Sequence, residues 1–251
     1  MSIVTERLSY VYNKDTAYAR KALDDINISI NDGEYAAVIG HTGSGKSTLV
    51  QHFNGLYKPT EGTVKYNGED IFDKKYSKKV LRSQVGLVFQ YPEYQLFADT
   101  VITDVMFGPH NIGMDKNEAY NSAKNALDMV GIPENLYDVS PFNISGGERR
   151  RVAIAGVLAM NPKVLILDEP AAGLDPCGRK DILELVSKLH KERKLTVIMV
   201  SHSMDDVAEY AEHIIVMNEG KVHAEGTPSE IFSKYKELEK IGLMAPQTVY
   251  L

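Results

Sequence analysis

The stretch GHTGSGKS, Gly40 to Ser47, sets glycines, a lysine and a hydroxyl in the pattern G-x-x-x-x-G-K-[ST]. An apolar run, YAAVIG, leads into it, and a helix is expected from Lys46 to about Leu56. A strand, a glycine loop and a helix in that order suit phosphate chemistry. The glycines let backbone N–H groups wrap an anion without Cβ clashes, the helix start adds its positive dipole end, and the Lys46 ammonium reaches the β/γ oxygens. Gly40, His41, Thr42, Gly43, Ser44, Gly45, Lys46, Ser47 and Thr48 are therefore read as a nucleotide-binding loop, with Ser47 as a Mg2+ ligand. His41 fills a free position of the pattern, so its imidazole is incidental to the chemistry. A glycine turn without a ligand is the competing reading, and the flanking strand and helix weigh against it.

A bound nucleoside triphosphate still needs groups on its γ-phosphate and on water. VLILDEP supplies carboxylates, because an apolar strand ending at Asp168 delivers an acid to the strand's C-terminal end, where ligands of α/β sheets bind. Asp168 is expected to hold Mg2+ mainly through water, and Glu169 to polarise the attacking water. VGLVFQ ends similarly on Gln90, suited to orient water and Mg2+, and LTVIMVSH on His202, whose imbedded strand end puts an imidazole within reach of a γ-phosphate oxygen. Singly, each residue reads as an ordinary strand end. Four polar-ended strands at one sheet edge make a site.

The elements that must position these groups alternate. IVTERLSYVY, INISI, YAAVIG, GTVKYNG and VGLVFQ read as strands. Tyr91 to Met160 has almost no β-branched runs and reads as several helices broken at FGPHNIGM and GIPENLYDVSPF, an inserted helical lobe. From Lys163 the chain runs strand VLILDE, helix RKDILELVSKLHKER, strand LTVIMVSH, helix MDDVAEYAE and a hairpin-like pair HIIVMNEGKVHAEG. The fold class is α/β, with a mainly parallel sheet and helices on both faces. No internal repeat, low-complexity stretch or interdomain linker interrupts it.

Bulk properties agree. The 251 residues, 43% of them hydrophobic, suffice for a sizeable core, and a formal net charge of −6 argues against a nucleic-acid binder. The single cysteine, Cys177, has no partner for an intramolecular disulfide and reads as a small filler residue. No signal-peptide pattern opens the chain and no apolar run approaches a membrane span, so a cytoplasmic, soluble chain is expected.

Together GHTGSGKST, Gln90, ISGGERRR, LILDEP, AGLD and SH resemble, in order and approximate spacing, the ATP-binding cassette (ABC) ATPases, over the chain to about Ile231. Within that superfamily, FQYPEYQLFADTVITDVMFGP, LDEPAAGLDPCGR, GHTGSGKSTLVQHFNGLYKPTEG and SHSMDDVAEYA are similar to the energy-coupling factor (ECF) transporter ATPases, most like the second of their two paired subunits. The resemblance implies an ABC-type P-loop NTPase domain over 1–235. It comprises a RecA-like core (1–90 and 161–235) with an N-terminal antiparallel β subdomain, a helical subdomain (91–160), and a short tail (236–251).

It also implies a role for the second glycine turn. In such proteins two ATPase domains pair head to tail, and the signature turn, Ser145, Gly146, Gly147 and Glu148, would cap the ATP of the partner, an arrangement that a helix N-terminus suits physically. Locally the same residues are a helix N-cap with a capping-type acid, which does not exclude that role. Glu148 stands where glutamine is usual, leaving open whether both composite sites hydrolyse ATP equally. Tyr12 resembles the aromatic that stacks on adenine, and Asp175 the residue that communicates across the dimer. ATP and Mg2+ are the implied cofactors.

The implied partners are a homologous ATPase subunit, a transmembrane scaffold and interchangeable substrate-binding membrane subunits, placing the chain peripherally on the cytoplasmic face of the membrane. Its implied work is to power uptake of vitamins or metal ions. Tyr94, Leu96 and Phe97, beside Glu93, are either apolar anchors for the scaffold or simply core of the lobe. The alternative activities are an ATPase of another ABC importer and a soluble ABC ATPase not linked to transport. The segment from Gln51 to Asn143 lacks the heptads of the coiled-coil ABC proteins of DNA repair, only one cassette is present, and a simple P-loop kinase would lack ISGGE.

Overall fold

The computed structural model describes residues 3–249, so the first two positions of the 1–235 region and the last two of the 236–251 tail lie outside the described residues. In chain order the elements begin with β1 (Ile3–Tyr12), β2 (Arg20–Ile30), β3 (Tyr35–Ile39), α1 (Lys46–Phe53), β4 (Glu61–Tyr66), β5 (Glu69–Asp70), α2 (Lys78–Gln84) and β6 (Val85–Val88). A 3-10 turn at Pro92–Gln95 leads to α3 (Val101–Asn111), α4 (Lys116–Met129) and α5 (Gly146–Leu158). Then come β7 (Val164–Asp168), α6 (Pro176–Arg193), β8 (Thr196–Val200), α7 (Met204–Tyr210), β9 (His213–Asn218), β10 (Lys221–Gly226), α8 (Pro228–Phe232) and α9 (Tyr235–Lys240).

Two sheets result, a six-stranded one in the order β10-β9-β3-β8-β7-β6 and a four-stranded one in the order β2-β1-β4-β5. In the larger sheet β9, β3, β8, β7 and β6 run parallel, and β10 returns antiparallel as a hairpin with β9. Its central strands are buried on both faces, as parallel strands flanked by other layers must be. The two-residue period splits them cleanly: Tyr35, Ala37, Ile39, Leu165, Leu167, Val197 and Met199 join the core formed with the helices. Ala36, Val38, Val164, Ile166, Ile198 and Val200 join a second core with Leu49, Val50 and Phe53 of α1 and Leu8, Leu23 and Ile26 of the antiparallel sheet. The helix after the phosphate loop is thereby clamped between two sheets. Each such Leu, Ile or Phe contributes about 1.5–3 kcal/mol of burial.

Several boundaries differ from expectation. Helix α1 ends at Phe53, short of Leu56, because Gly55 turns left-handed at φ +68°. Gly55 and Leu56 donate back to the carbonyls of His52 and Gln51, closing the helix in a Schellman motif. Strand β2 starts at Arg20, well before INISI, because the polar RKALDD segment pairs with β1 (Tyr12 opposite Arg20, Tyr10 opposite Leu23). The expected break at FGPHNIGM comes late: Pro109 lies inside α3, and the helix stops only at the Ile112–Gly113 turn, where Gly113 has φ +100°. Strands β6 and β8 end two residues before Gln90 and His202, which therefore sit on loops.

Candidate active site

The ends of β3, β6, β7 and β8 open onto one cleft of about 1040 Å³, ample for a nucleoside triphosphate. Gly40 to Gly43, Lys46, Ser47, Gln90, Asp168, Glu169 and His202 all line it, so the four polar-ended strands do converge. Ser44, Gly45 and Thr48 shape the loop from behind rather than line the cleft.

Two glycines make this loop possible. A Cβ on Gly40 would lie 2.3 Å from the Met217 carbonyl oxygen, and one on Gly45 would lie 2.7 Å from that of Ala22, both with φ in the left-handed half of the map. The loop is thus pressed against the β9–β10 hairpin and β2. Ser44 is fully buried and its hydroxyl has no hydrogen-bond partner. Lys46 curls back, its Nζ donating to the carbonyls of Gly40 (2.7 Å) and His41 (3.0 Å). Burial pushes the Lys46 ammonium below its ordinary pKa, and the charges of Glu169 and Asp168 pull it back up. His41 is held at its ring by the Thr42 carbonyl (2.8 Å) and Asn218 (3.0 Å).

Asp168 is buried, which raises its carboxyl pKa; the Ser47 hydroxyl donates to it and lowers it, Glu169 raises it, and Lys46 lowers it. A carboxylate and a hydroxyl in contact beside a phosphate loop are oxygen ligands of the kind Mg2+ takes alongside water and substrate phosphates. The set fits that ion in a phosphate-bound role, and among the described residues no cluster of three or more His, Cys, Asp or Glu forms an all-protein metal cage.

Glu169 follows β7 with a positive φ of +51°, a conformation that a non-glycine residue adopts at a cost of about 1–3 kcal/mol. Its N–H donates to the Val200 carbonyl (3.0 Å), which fixes that turn. The carboxylate meets His202, with Nδ1 at 2.7 Å from Oε2. Arg179 holds the His202 loop from α6, forking onto Asp206 (Nε–Oδ1 3.0 Å) and Ser203. Tyr91, next to the exposed Gln90, is also left-handed, at φ +54°.

The remaining sequence-selected residues lie elsewhere. Tyr12 closes β1 with its hydroxyl 3.0 Å from Thr48 Oγ1, and its ring meets Tyr10 and Tyr57 edge-on at 4.8 and 5.6 Å. Ser145, Gly146, Gly147 and Glu148 do not line the cleft. They form a reciprocal capping box, Glu148 N–H to Ser145 Oγ (3.3 Å) and Ser145 N–H to Glu148 Oε2 (2.8 Å), with Ser145 and both glycines exposed. The Ser145 contacts hold the Glu148 carboxyl below the usual range. Asp175 likewise caps α6, accepting from Gly178 N–H at 2.7 Å, while its neighbours Gly173 and Leu174 reach the cleft.

The two readings left open for the lobe are decided residue by residue: Leu96 is buried in the core, whereas Tyr94 is 81% and Phe97 60% exposed, the latter packed edge-on against exposed Phe107 at 4.8 Å. One reading is corrected: Cys177 is exposed on the first turn of α6 and fills no core space. Sequence reasoning also missed the supporting residues Tyr10, Tyr57, Arg150 and Arg179, and the segment Gly242–Ala245, which lines the far side of the cleft.

Known proteins share this architecture and sequence. The family model described as ABC transporter matches residues 23–172. The energy-coupling factor transporter ATP-binding protein EcfA2 of Caldanaerobacter subterraneus subsp. tengcongensis is 55% identical over 251 residues, covering 100% of this chain and 88% of its own length. The EcfA2 of Acetivibrio thermocellus is also 55% identical, covering 100% and 89%. Among solved structures, cbiO1 from Clostridium perfringens, part of the ABC transporter complex cbiONQ, superposes with a TM-score of 0.82 at 40% identity, covering 99% of this chain and 97% of that one. The dimeric cassette MJ0796, in a post-hydrolysis state bound to ADP and Pi, has a TM-score of 0.79 at 30% identity and covers 90% and 98%. The chain belongs to the ABC transporter ATPases and, within them, to the ATP-binding proteins of energy-coupling factor transporters.

Proposed function

We propose that this chain binds and hydrolyses ATP to power uptake of vitamins or metal ions across the cell membrane, as one half of a head-to-tail ATPase pair in an energy-coupling factor transporter. The observation that carries the chemistry is the convergence of Lys46, Ser47, Asp168, Glu169 and His202 on one cleft, beside a phosphate loop in which Gly40 and Gly45 leave no room for a side chain. The loop amides and Lys46 bind the β- and γ-phosphates, and Tyr12 receives the adenine. Ser47, Gln90 and, mainly through water, Asp168 would hold Mg2+, which when bound would supply positive charge to the phosphate oxygens. Glu169 orients water and takes its proton as the oxygen attacks the γ-phosphorus and the bond to the β-phosphate oxygen breaks. His202 holds the Glu169 carboxylate in line and donates toward the γ-phosphate.

Ser145, Gly146 and Gly147 form the second half-site, serving the ATP of the partner, and Asp175 signals between the two. The support is their exposure at a helix start, away from the cleft of their own chain, and the dimeric state of the solved relative with ADP and Pi. Among the described residues no helix is long and apolar enough to cross a membrane, in keeping with peripheral attachment to a transmembrane scaffold on the cytoplasmic side. In this reading the core spans 1–90 and 161–235, and the lobe 91–160 presents Tyr94, Phe97 and Phe107 to that scaffold.

The test is affinity extraction of the tagged chain from membranes in mild detergent, with mass spectrometry and an ATPase assay on the eluate. Recovery of a second homologous ATPase, a helical scaffold and several small membrane proteins, with Mg2+-dependent phosphate release lost in Lys46→Ala, is the expected result. A single different permease would replace the ECF reading, and an eluate without ATP hydrolysis would overturn the reaction.

A further inference from the structure

Arg150 is 2% exposed, yet it lies in the charged run ERRR near the start of α5, five residues after the N-cap Ser145. Its guanidinium spends four contacts on two different segments. Nε and Nη2 fork onto both carboxylate oxygens of Glu93, at 3.0 and 2.7 Å, and Nη1 donates to the carbonyls of Pro170 (3.1 Å) and Ala172 (2.8 Å). Glu93 stands in the Pro92–Gln95 turn, three residues after Gln90; Pro170 and Ala172 follow Glu169 and run toward Asp175. One planar side chain thus joins the start of the signature helix to the loop of Gln90 and the loop of Glu169. Arginine and lysine are not equivalent here, because only a rigid fork serves a carboxylate bidentately and two carbonyls at once. The burial costs desolvation, and the pairing answers it: the Glu93 carboxyl is pushed up by burial and held below its usual range by Arg150.

We propose that Arg150 is a positioning residue that locks the signature turn, the Gln90 loop and the Glu169 loop into one body, so that turnover responds to the placement of the segment around Glu93. It touches no reacting atom. A movement of the Pro92–Gln95 turn is passed through the fork to the backbone just after Glu169 and to the helix carrying Ser145. The proposal rests on the reading that Glu169 and Gln90 act in ATP hydrolysis.

The experiment compares Arg150→Lys and the double variant Arg150→Met/Glu93→Leu with the wild type, in the complex as extracted. Arg150→Lys is expected to lower kcat about 10- to 100-fold, as a small misplacement of catalytic groups does, while the dissociation constant for ATP stays within about twofold. The apolar double variant keeps the site packed, since buried ion pairs are often replaceable by hydrophobic residues without loss of stability. It is expected to retain Tm within a few degrees and still show the kcat defect. Recovery of wild-type kcat in the double variant, or an unchanged kcat in Arg150→Lys, overturns the proposal and leaves Arg150 a structural residue. A defect confined to ATP affinity also overturns it. Wild-type complex without hydrolysis, or Glu169→Gln with wild-type turnover, counts instead against the underlying reaction.

Discussion

The two glycine turns of this chain solve opposite problems. At the phosphate loop, Gly40 and Gly45 are glycines because the protein itself leaves no room: a Cβ would strike the carbonyl oxygens of Met217 and Ala22. At the signature turn, among the described residues, nothing beyond the chain neighbours and the helix's own backbone lies within 4 Å of a Cβ built on Gly146 or Gly147. Both begin a helix in ordinary backbone geometry, where alanine is the better residue by about 1 kcal/mol. The first turn is explained by the chain alone. The second is unexplained until another molecule approaches it, and its serine and glutamate already satisfy each other in a capping box. A helix start over-provided with glycine is what the proposed shared interface would require.

The sharpest way to break this contrast begins inside the cleft. Glu169→Gln keeps the shape of the site and its N–H bond to Val200 while removing the proton acceptor, so turnover should fall about 10²- to 10⁴-fold with ATP binding retained. Phosphate release near the wild-type rate would remove Glu169 from the role assigned to it. Gly147→Ala then addresses the other turn. Stability should rise by about 0.4–1 kcal/mol, because the site is open and alanine narrows the unfolded ensemble. ATPase activity of the assembled pair should fall by about tenfold or more, because the added Cβ would displace a partner phosphate from the turn, and small misplacements at a reacting group cost up to about 10²-fold. The same change at Gly40 should instead destabilise the isolated chain. A Gly147→Ala protein that is both more stable and fully active would leave the signature turn a plain helix start.

Much of this was legible from residue order, and the failures have physical causes. Strands β7 and β8 were readable because apolar runs at Val164–Leu167 and Val197–Val200 stop on polar residues, although β8 ends at Val200 rather than at His202. The end of α1 was signalled by Gly55 and overlooked. The extent of β2 was not signalled, since Arg20 to Asp25 lacks an apolar alternation and is held by pairing to β1. Arg150 looks solvated within ERRR, but it shares helical phase with Ile154 and Leu158, both buried, and that spacing could have marked it. The left-handed backbone of Glu169 has no counterpart in composition at all; it follows from the bond to β8.

A smaller effect separates recognition of the base from that of the phosphates. Tyr12 does not line the cleft, and its hydroxyl is tied to Thr48, just after the phosphate loop. Tyr12→Ala should weaken ATP binding about 3- to 10-fold, the value of one aromatic contact, with kcat at saturation little changed. Tyr12→Phe keeps the ring and loses the hydroxyl's bonds to Thr48 and Tyr57, so it should sit near wild type. Equal losses in the two variants would mean that the hydroxyl, and not the ring, is what matters at this position.

The smallest expected effect lies far from both turns and calibrates them. His213, at the start of β9, sits between Glu34 (2.8 Å) and Glu225 (3.0 Å), and those carboxylates raise its pKa, Glu225 foremost, against the effect of partial burial. A raised folded pKa means that the protonated form is favoured by folding. The stabilisation is therefore fully present below the unfolded value of 6.5 and is lost as pH rises through the higher folded value. Across that window Tm should fall by about 2 °C, and His213→Gln should flatten the slope. The ATP dissociation constant of His213→Gln should match wild type throughout, because β9 meets the phosphate loop only at its other end, through Met217 and Asn218. An altered ATP affinity in that variant would show that the hairpin edge communicates with the loop and would blur the line between scaffold and site.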